Sequence, residues 1–156
     1  MLKYNFLTED YEELKRSVEA IEKKLADIKA EVGTSTSQSS ETWHDNSWHE
    51  ELMRLHNLHS ASLGERKKVL LQAKVVSPES KKGQVGLGSR VTYTDEQDNE
   101  YTITIGSYLV LKEQPGYVSY ASPIGALFFG KKAGGTVTGA IAERERRFII
   151  TSVDNA

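Results

Sequence analysis

The side chains best suited to chemistry lie together in residues 39–52, SSETWHDNSWHEEL. This segment carries four acids, two histidines and two tryptophans, and it follows a run of serines and threonines. The acids are Glu41, Asp45, Glu50 and Glu51. Carboxylates at these positions can cap a helix or lie favourably at the positive end of its dipole. On residue types alone, Asp45 and Asn46 suit a helix N-cap, and Glu50 and Glu51 suit the dipole of a first turn.

Two other uses of the segment have to be weighed. His44 and His49, with Asp45 between them, could bind zinc, but a tetrahedral site needs a fourth ligand that the segment does not supply. Trp43 and Trp48 could staple a turn. Large aromatic side chains in such a polar segment instead indicate contact with another molecule.

The composition excludes several classes of protein. The chain has 156 residues, a net charge of −2 and no cysteine. Disulfides, thiolate metal sites and cysteine nucleophiles are therefore excluded, and the charge gives no general case for binding nucleic acid. No run of residues approaches the roughly 20 apolar positions of a membrane span, and the start lacks a signal-peptide core. We expect a cytoplasmic protein without a membrane partner.

The segments on both sides of this cluster are predicted to be helices. From residue 9 to residue 32 apolar residues recur at alternating steps of three and four, which is the heptad pattern of a coiled-coil seam. Thr8 suits the N-cap, and the stretch would span roughly 36 Å. The sequence GTSTSQSS at 33–40 weakens helices, so the first helix is predicted to end there. A second, less regular pattern runs from about Ser47 to Val75, which predicts an antiparallel hairpin with its tip near 33–46.

After residue 77 the pattern changes to short antiparallel strands. The stretches 85–94, 100–111 and 136–153 are rich in Val, Ile, Thr and Tyr and are separated by turn residues. Between them Ser122, Pro123 and Gly130 suit the N-cap, first position and C′ position of one short helix that must bury at least one of Phe128 and Phe129. The fold class is therefore α+β, with a coiled-coil hairpin at 1–76 and a sheet domain at 77–156.

The C-terminal half also resembles a known family. SYASPIGALFFGKKAGGTVT at 119–138 is similar to the C-terminal signature of the bacterial Gre transcript-cleavage factors, GreA and GreB. The matching positions are Ser119, Ser122, Pro123, Ile124, Gly125, Leu127, Gly130, Lys131 and Val137. WHDNSWHEEL at 43–52 is similar to the family's passage from the hairpin tip into the second helix. The resemblance implies an FKBP-like C-terminal domain and a hairpin that together cover the whole chain.

The resemblance implies a function as well. Gre factors bind bacterial RNA polymerase through the C-terminal domain and insert the hairpin into the secondary channel. The acids at the tip help to hold a Mg²⁺ ion that the polymerase uses to cut backtracked RNA near its 3′ end. Transferred to this chain, Asp45 and Glu41 become the catalytic and metal-binding residues. Ser122, Pro123, Ile124 and Gly125 become a polymerase-docking patch, with Trp43 and Trp48 as further partner contacts.

The tip differs from the family at one position. The family pattern is Asp-x-x-Glu, whereas Thr42 stands three residues before Asp45 and the nearest acid is Glu41. Two functions therefore remain open: stimulation of cleavage, and occupation of the channel without cleavage as a competitor or inhibitor. In both, the chain is a monomer that is not itself an enzyme, has no cofactor of its own beyond the shared Mg²⁺, and does not bind nucleic acid stably alone.

Two unrelated classes were compared with this one. A stand-alone enzyme, such as a prolyl isomerase suggested by the FKBP-like shape, finds no support in a catalytic triad, a phosphate loop or a metal-ligand spacing. An adaptor or holdase that grips apolar clients would use Trp43 and Trp48 and leave the acids without a role. Binding to core RNA polymerase separates the elongation factor from both.

Overall fold

The computed structural model describes residues 3–38, 46–78 and 81–155, with the backbone alone at 34–38 and 46. Two compact units divide the chain, one formed by Met1–Glu13 with Ala73–Ala156 and the other by Leu14–Gln72. We call them the sheet unit and the hairpin unit. Residues 3–13 and 73–76, on the helical side of the predicted boundary at 76/77, belong to the sheet unit. Within the described residues no helix has the length and apolarity to cross a membrane.

The hairpin unit consists of two helices. Helix α1 spans Thr8–Gln38, with its first turns in the sheet unit, and helix α2 spans Asn46–Leu71. Lys67, near the end of α2, forms an ion pair with Glu22 in the first half of α1 at 2.9 Å, so the helices run antiparallel. The predicted helical pair is confirmed. Helix α1 nevertheless continues six residues beyond Val32, because the low helix propensity of Gly, Ser and Thr costs only about 1 kcal/mol or less per residue.

The seam of the hairpin is uneven. On α1, Leu14, Val18, Ile21 and Ile28 are buried at the predicted spacing. Among the described side chains of α2 only Leu52 is fully buried, and Leu58, an apolar position of the less regular pattern, is 56% exposed. The predicted helix to Val75 also ends earlier, at Leu71.

Two short strands that the sequence did not predict join the ends of the helical region. Strand β1 (Tyr4–Phe6) precedes α1, and strand β2 (Ala73–Val75) follows α2. They pair in parallel, with Tyr4 opposite Ala73 and Phe6 opposite Val75. Three-residue strands are too short to show an alternating pattern in a sequence.

A five-stranded sheet follows, built from β3 (Arg90–Thr94), β4 (Glu100–Gly106), β5 (Tyr117–Ser119), β6 (Thr136–Ile141) and β7 (Arg144–Asp154). The strand order is β5-β4-β3-β7-β6. Only β4 and β5 pair in parallel, so the sheet is mixed where the sequence predicted an antiparallel one. The α+β class is confirmed.

Helix α3 (Pro123–Phe128) covers one face of this sheet. Phe128 is fully buried and packs against Tyr93, with ring centroids 4.6 Å apart, while Phe129 is 39% exposed. The prediction that at least one of the two phenylalanines enters the core is confirmed. The rest of the buried core is aliphatic and aromatic: Val85, Val91, Ile103, Ile105, Val137, Phe148 and Ile150.

Candidate functional site

Helix α3 begins with a complete set of local hydrogen bonds. Ser122 is the N-cap in extended backbone, and its Oγ accepts a hydrogen bond from the Gly125 amide at 3.1 Å. The same hydroxyl donates to the Ser119 carbonyl at 2.6 Å. Pro123 occupies the first helical position, where a missing N–H costs nothing. Ser122 and Pro123 therefore stabilise the start of the helix, whatever they contact outside the molecule.

Gly125 allows the helix to approach the preceding strand. A Cβ at this position would lie 2.0 Å from the Ser119 carbonyl oxygen and 2.9 Å from Ser122 Oγ, which is closer than atoms can pack. Gly125 is buried, and Ile124 is half-buried against the core. The part of α3 that faces outward consists of Pro123, Ala126 and Phe129.

A row of aromatic rings extends from the end of α3. Phe129 packs on Tyr120 with centroids 5.4 Å apart, Tyr120 lies 6.4 Å from Tyr108, and Tyr108 stacks on Tyr4 at 3.8 Å. The Tyr120 hydroxyl accepts a hydrogen bond from the Asn5 amide at 3.1 Å, which fixes the ring. The pKa of Tyr108 is raised by a hydrogen bond between Tyr4 and Tyr108 and by burial. None of the three tyrosines was predicted to be functional, and the stack of Tyr108 on Tyr4 joins two distant segments that no local pattern connects.

A buried carboxylate holds the first turn of α1 within the sheet unit. Asp10 Oδ2 accepts hydrogen bonds from the Ser107 amide at 3.2 Å, from Ser107 Oγ at 2.5 Å and from the Tyr117 hydroxyl at 2.9 Å. Burial and the hydrogen bond to Asp10 raise the pKa of Tyr117 well above its ordinary value. In sequence, Asp10 is only one of the acids expected in a first helical turn, so no local pattern indicates its buried role.

A second charged group lies at the edge of the sheet. Glu96 accepts hydrogen bonds from the Arg147 amide at 2.8 Å and from the Arg146 guanidinium at 3.1 Å. These bonds lower the pKa of Glu96 to about 2. Glu96, Arg146 and Arg147 all line a cleft of about 240 Å³. In the described part of the chain, no three His, Asp or Glu side chains are placed to hold a metal ion.

The sequence-predicted site residues fall into two groups. Glu41, Trp43 and Asp45 lie outside the described residues, as does His44 of the zinc alternative. Trp48 lies in the first turn of α2 and is 51% exposed. The structure brings Ser122, Pro123, Ile124 and Gly125 together at the start of α3. It adds Phe129 beside them, and the FF pair in the sequence was the signal that one ring would face outward.

Comparison with known proteins gives the family. Residues 79–155 match the family model described as transcription elongation factor, GreA/GreB, C-terminal domain. That match spans the sheet unit from just after β2 to the end of β7, and it includes α3 and its cap. The class is thus that of the transcription elongation factors. The chain belongs to the Gre-like factor family.

Whole-chain similarities to solved structures are weaker. One structure of the transcription factor Gfh1 is 20% identical, with a TM-score of 0.48, over 98% of this chain and 99% of that chain. The GreA factor homolog Gfh1 of Thermus thermophilus is also 20% identical, with a TM-score of 0.46, over 97% and 99%. The GreA/GreB factor of Nitrosomonas europaea is 17% identical, with a TM-score of 0.41, over 98% of both chains. No curated protein matches this sequence.

Proposed function

We propose that this chain is an elongation factor that binds bacterial RNA polymerase, places residues 33–46 in the secondary channel and stimulates cleavage of backtracked RNA. The observation that supports the proposal is the family match over residues 79–155. Factors of this family are accessory proteins, and the reaction belongs to the polymerase. The chain then acts in the cytoplasm as a monomer and approaches RNA only inside the polymerase.

In this proposal, docking uses the start and outward side of α3. Pro123 and Ala126 are exposed, whereas Ser122 and Gly125 are occupied by cap hydrogen bonds and close packing. Ser122 and Gly125 therefore act on docking by fixing the shape of the patch, and Pro123 offers the contact. A rigid, preformed patch loses little conformational entropy on binding.

At the other end, Asp45 and Glu41 are proposed to supply carboxylate oxygens to a Mg²⁺ ion of the polymerase. Such an ion activates water and stabilises the charge on the phosphate. Mg²⁺ keeps several of its waters, so one or two carboxylates from an accessory protein are a sufficient contribution. Trp43 and Trp48 are proposed to contact the walls of the channel.

The direct test is RNA cleavage in stalled, backtracked polymerase complexes. We expect the unmodified chain to increase the cleavage rate. Asp45→Ala should lower that stimulated rate about 100-fold or more, because it removes a charge-stabilising group. Glu41→Ala should have a smaller effect. Glu50→Ala removes an exposed acid in the next helix and is the matched control, with cleavage near that of the unmodified chain.

A second function is favoured by one observation. Thr42 stands where the family pattern has an acid, so Asp45 is the one acid that keeps its place in that pattern. Such a factor would occupy the channel without stimulating cleavage and compete with other channel-binding factors. Polymerase binding without cleavage above the intrinsic rate would establish this competitor in place of the cleavage factor.

Docking has its own test. Ala126→Glu introduces charge and bulk on the outward face of α3 without touching the cap. We expect binding to core polymerase to weaken about 10-fold while the melting temperature is unchanged. Ser122→Ala is less suitable because it also removes a cap worth about 1 kcal/mol.

A further inference from the structure

The segment after α3 places lysines from two distant parts of the chain on neighbouring backbone. Gln84 forms an antiparallel bridge with Lys132, the Val85 amide donates to the Lys131 carbonyl at 2.8 Å, and the Ala133 amide donates to the Gly83 carbonyl at 3.0 Å. The lysine pair at 81–82 therefore lies beside the lysine pair at 131–132. The side chains of all four are exposed.

Three of these four lysines form no ion pair with another described residue. Within the described residues, Lys82, Lys131 and Lys132 take part in no ion pair or side-chain hydrogen bond. The chain as a whole has a net charge of −2, so this is a local concentration of positive charge. Like charges held together repel, and a partner of opposite charge relieves that repulsion.

Phe129 lies directly before this group. It caps the end of α3, is 39% exposed and rests on Tyr120, whose ring is fixed in turn by the Asn5 amide. An aromatic ring held rigidly and bordered by polar groups is the usual centre of a protein–protein interface. Pro123 and Ala126, on the outward side of the same helix, continue the surface towards the proposed docking patch.

We propose that Phe129, Lys82, Lys131 and Lys132 form a second half of the docking surface, which takes an acidic protein surface with an apolar pocket at its centre. The inference rests on the proposed function, because that acidic surface belongs to RNA polymerase. Phe129 fills the pocket, and the lysines surround it and contact carboxylates. We call these four residues the lysine–phenylalanine patch.

The ring geometry favours protein over nucleic acid as the occupant. Proteins that bind single strands offer open ring faces on which bases stack. Here Tyr4 and Tyr108 stack on each other with planes 9° apart, and Phe129, the single ring of the patch, is tilted by 39° against Tyr120. The patch therefore offers one ring and no row of open faces for successive bases, although its lysines suit an anion.

The test is a titration of core RNA polymerase with the full-length chain at low and at high salt. Lys131→Glu with Lys132→Glu should weaken binding at least about 10-fold at low salt, and the loss should shrink at high salt. Phe129→Ala should weaken binding about 10-fold at both salt concentrations, since its contribution is apolar. Thermal melts establish that each variant is folded.

The matched control reverses two charges on the other face of the sheet. Arg90 and Arg147 are exposed and alternate with the buried Val91 and Phe148, which pack towards α3. Arg90→Glu with Arg147→Glu makes the same change in net charge as the lysine variant. We expect its affinity to stay within about twofold of the unmodified chain, because rim and distant charges act weakly through solvent.

The outcomes separate this inference from the proposed function. If Ala126→Glu weakens binding while the lysine variant and Phe129→Ala bind normally, docking at α3 stands and the lysine–phenylalanine patch is overturned. If the unmodified chain does not bind polymerase, both fall. Binding of the unmodified chain to a single-stranded RNA or duplex DNA oligonucleotide alone, lost in the lysine variant, would overturn the acidic protein surface in favour of nucleic acid.

Discussion

The hairpin unit and the sheet unit are stabilised in different ways. The hairpin unit has one narrow apolar seam, in which Leu52 is the one fully buried residue among the side chains of α2 that the structure describes. The sheet unit has an aromatic and aliphatic core and a buried polar cluster around Asp10. A narrow seam is sufficient for a helical pair whose role is to present exposed side chains to another molecule. The core and polar cluster of the sheet unit fix individual side chains, as a docking surface requires.

The largest expected effect is a difference in the free energy of unfolding between variants at two leucines of α2. Leu52 is 2% exposed and Leu58 is 56% exposed. Leu52→Ala should lower the free energy of unfolding by about 2–5 kcal/mol through lost burial and a cavity. Leu58→Ala should change it by less than about 0.5 kcal/mol. Urea unfolding followed by circular dichroism measures both, and equal losses would show that the seam of α2 is not the one described.

Asp10 tests the buried polar cluster of the sheet unit. Asp10→Ala leaves the Ser107 and Tyr117 hydroxyls without their acceptor, and the loss should be about 3 kcal/mol. The neighbouring Glu9 is the control, because its side chain is exposed and its ion pair with Lys112 lies at the surface. Glu9→Ala should cost less than about 1 kcal/mol. A smaller loss for Asp10→Ala than for Glu9→Ala would contradict a stabilising role for the cluster.

Two glycines test how tightly α3 is held in the sheet unit. A Cβ at Gly125 would meet the backbone oxygen of Ser119 at 2.0 Å, whereas a Cβ at Gly139 would meet the side chain of Leu127 at 2.1 Å. A side chain can rotate away but a carbonyl in a capped turn cannot. Gly125→Ala should therefore cost about 2 kcal/mol, and Gly139→Ala about 1 kcal/mol.

The polymerase titration makes this comparison sharper. If α3 carries the docking patch, Gly125→Ala should also weaken polymerase binding, since it displaces the start of the helix. Gly139→Ala should bind nearly as well as the unmodified chain at a temperature where both are folded. Weaker binding by Gly139→Ala alone would move the docking surface to the β6 side of the sheet.

The sequence predicted the parts of the fold that local chemistry determines. Ser122, Pro123 and Gly130 identified α3 because a cap, a fixed φ and a positive φ of 81° at Gly130 are properties of single residues. The heptad spacing identified α1 for the same reason. The turn between β6 and β7 had no such signal, because Ala142 and Glu143 both adopt positive φ there in place of the usual Gly or Asn.

The parts that sequence reasoning missed depend on contacts between distant segments. The pairing of β1 with β2 joins residues 69 positions apart, such as Tyr4 and Ala73. The hydrogen bonds of Asp10 to Ser107 and Tyr117 and the stacking of Tyr4 on Tyr108 join residues about a hundred positions apart. No local pattern specifies such partners. The candidate site divides in the same way: the α3 patch was found from its cap, the lysine–phenylalanine patch required the structure, and Asp45 and Glu41 remain predictions.

The smallest effect concerns pH and the surface of the sheet unit. The fold lowers the pKa of Glu96 from 4.5 to about 2, through the Arg147 amide and the Arg146 guanidinium. A lowered pKa in the folded state means that the ionised form stabilises the fold. This contribution is complete above about pH 5 and is lost as the pH falls towards 2. Glu96→Gln should therefore melt slightly below the unmodified chain at pH 7, and the difference should vanish near pH 2. A pH-independent difference for Glu96→Gln would mean that shape, and not charge, is what Glu96 contributes.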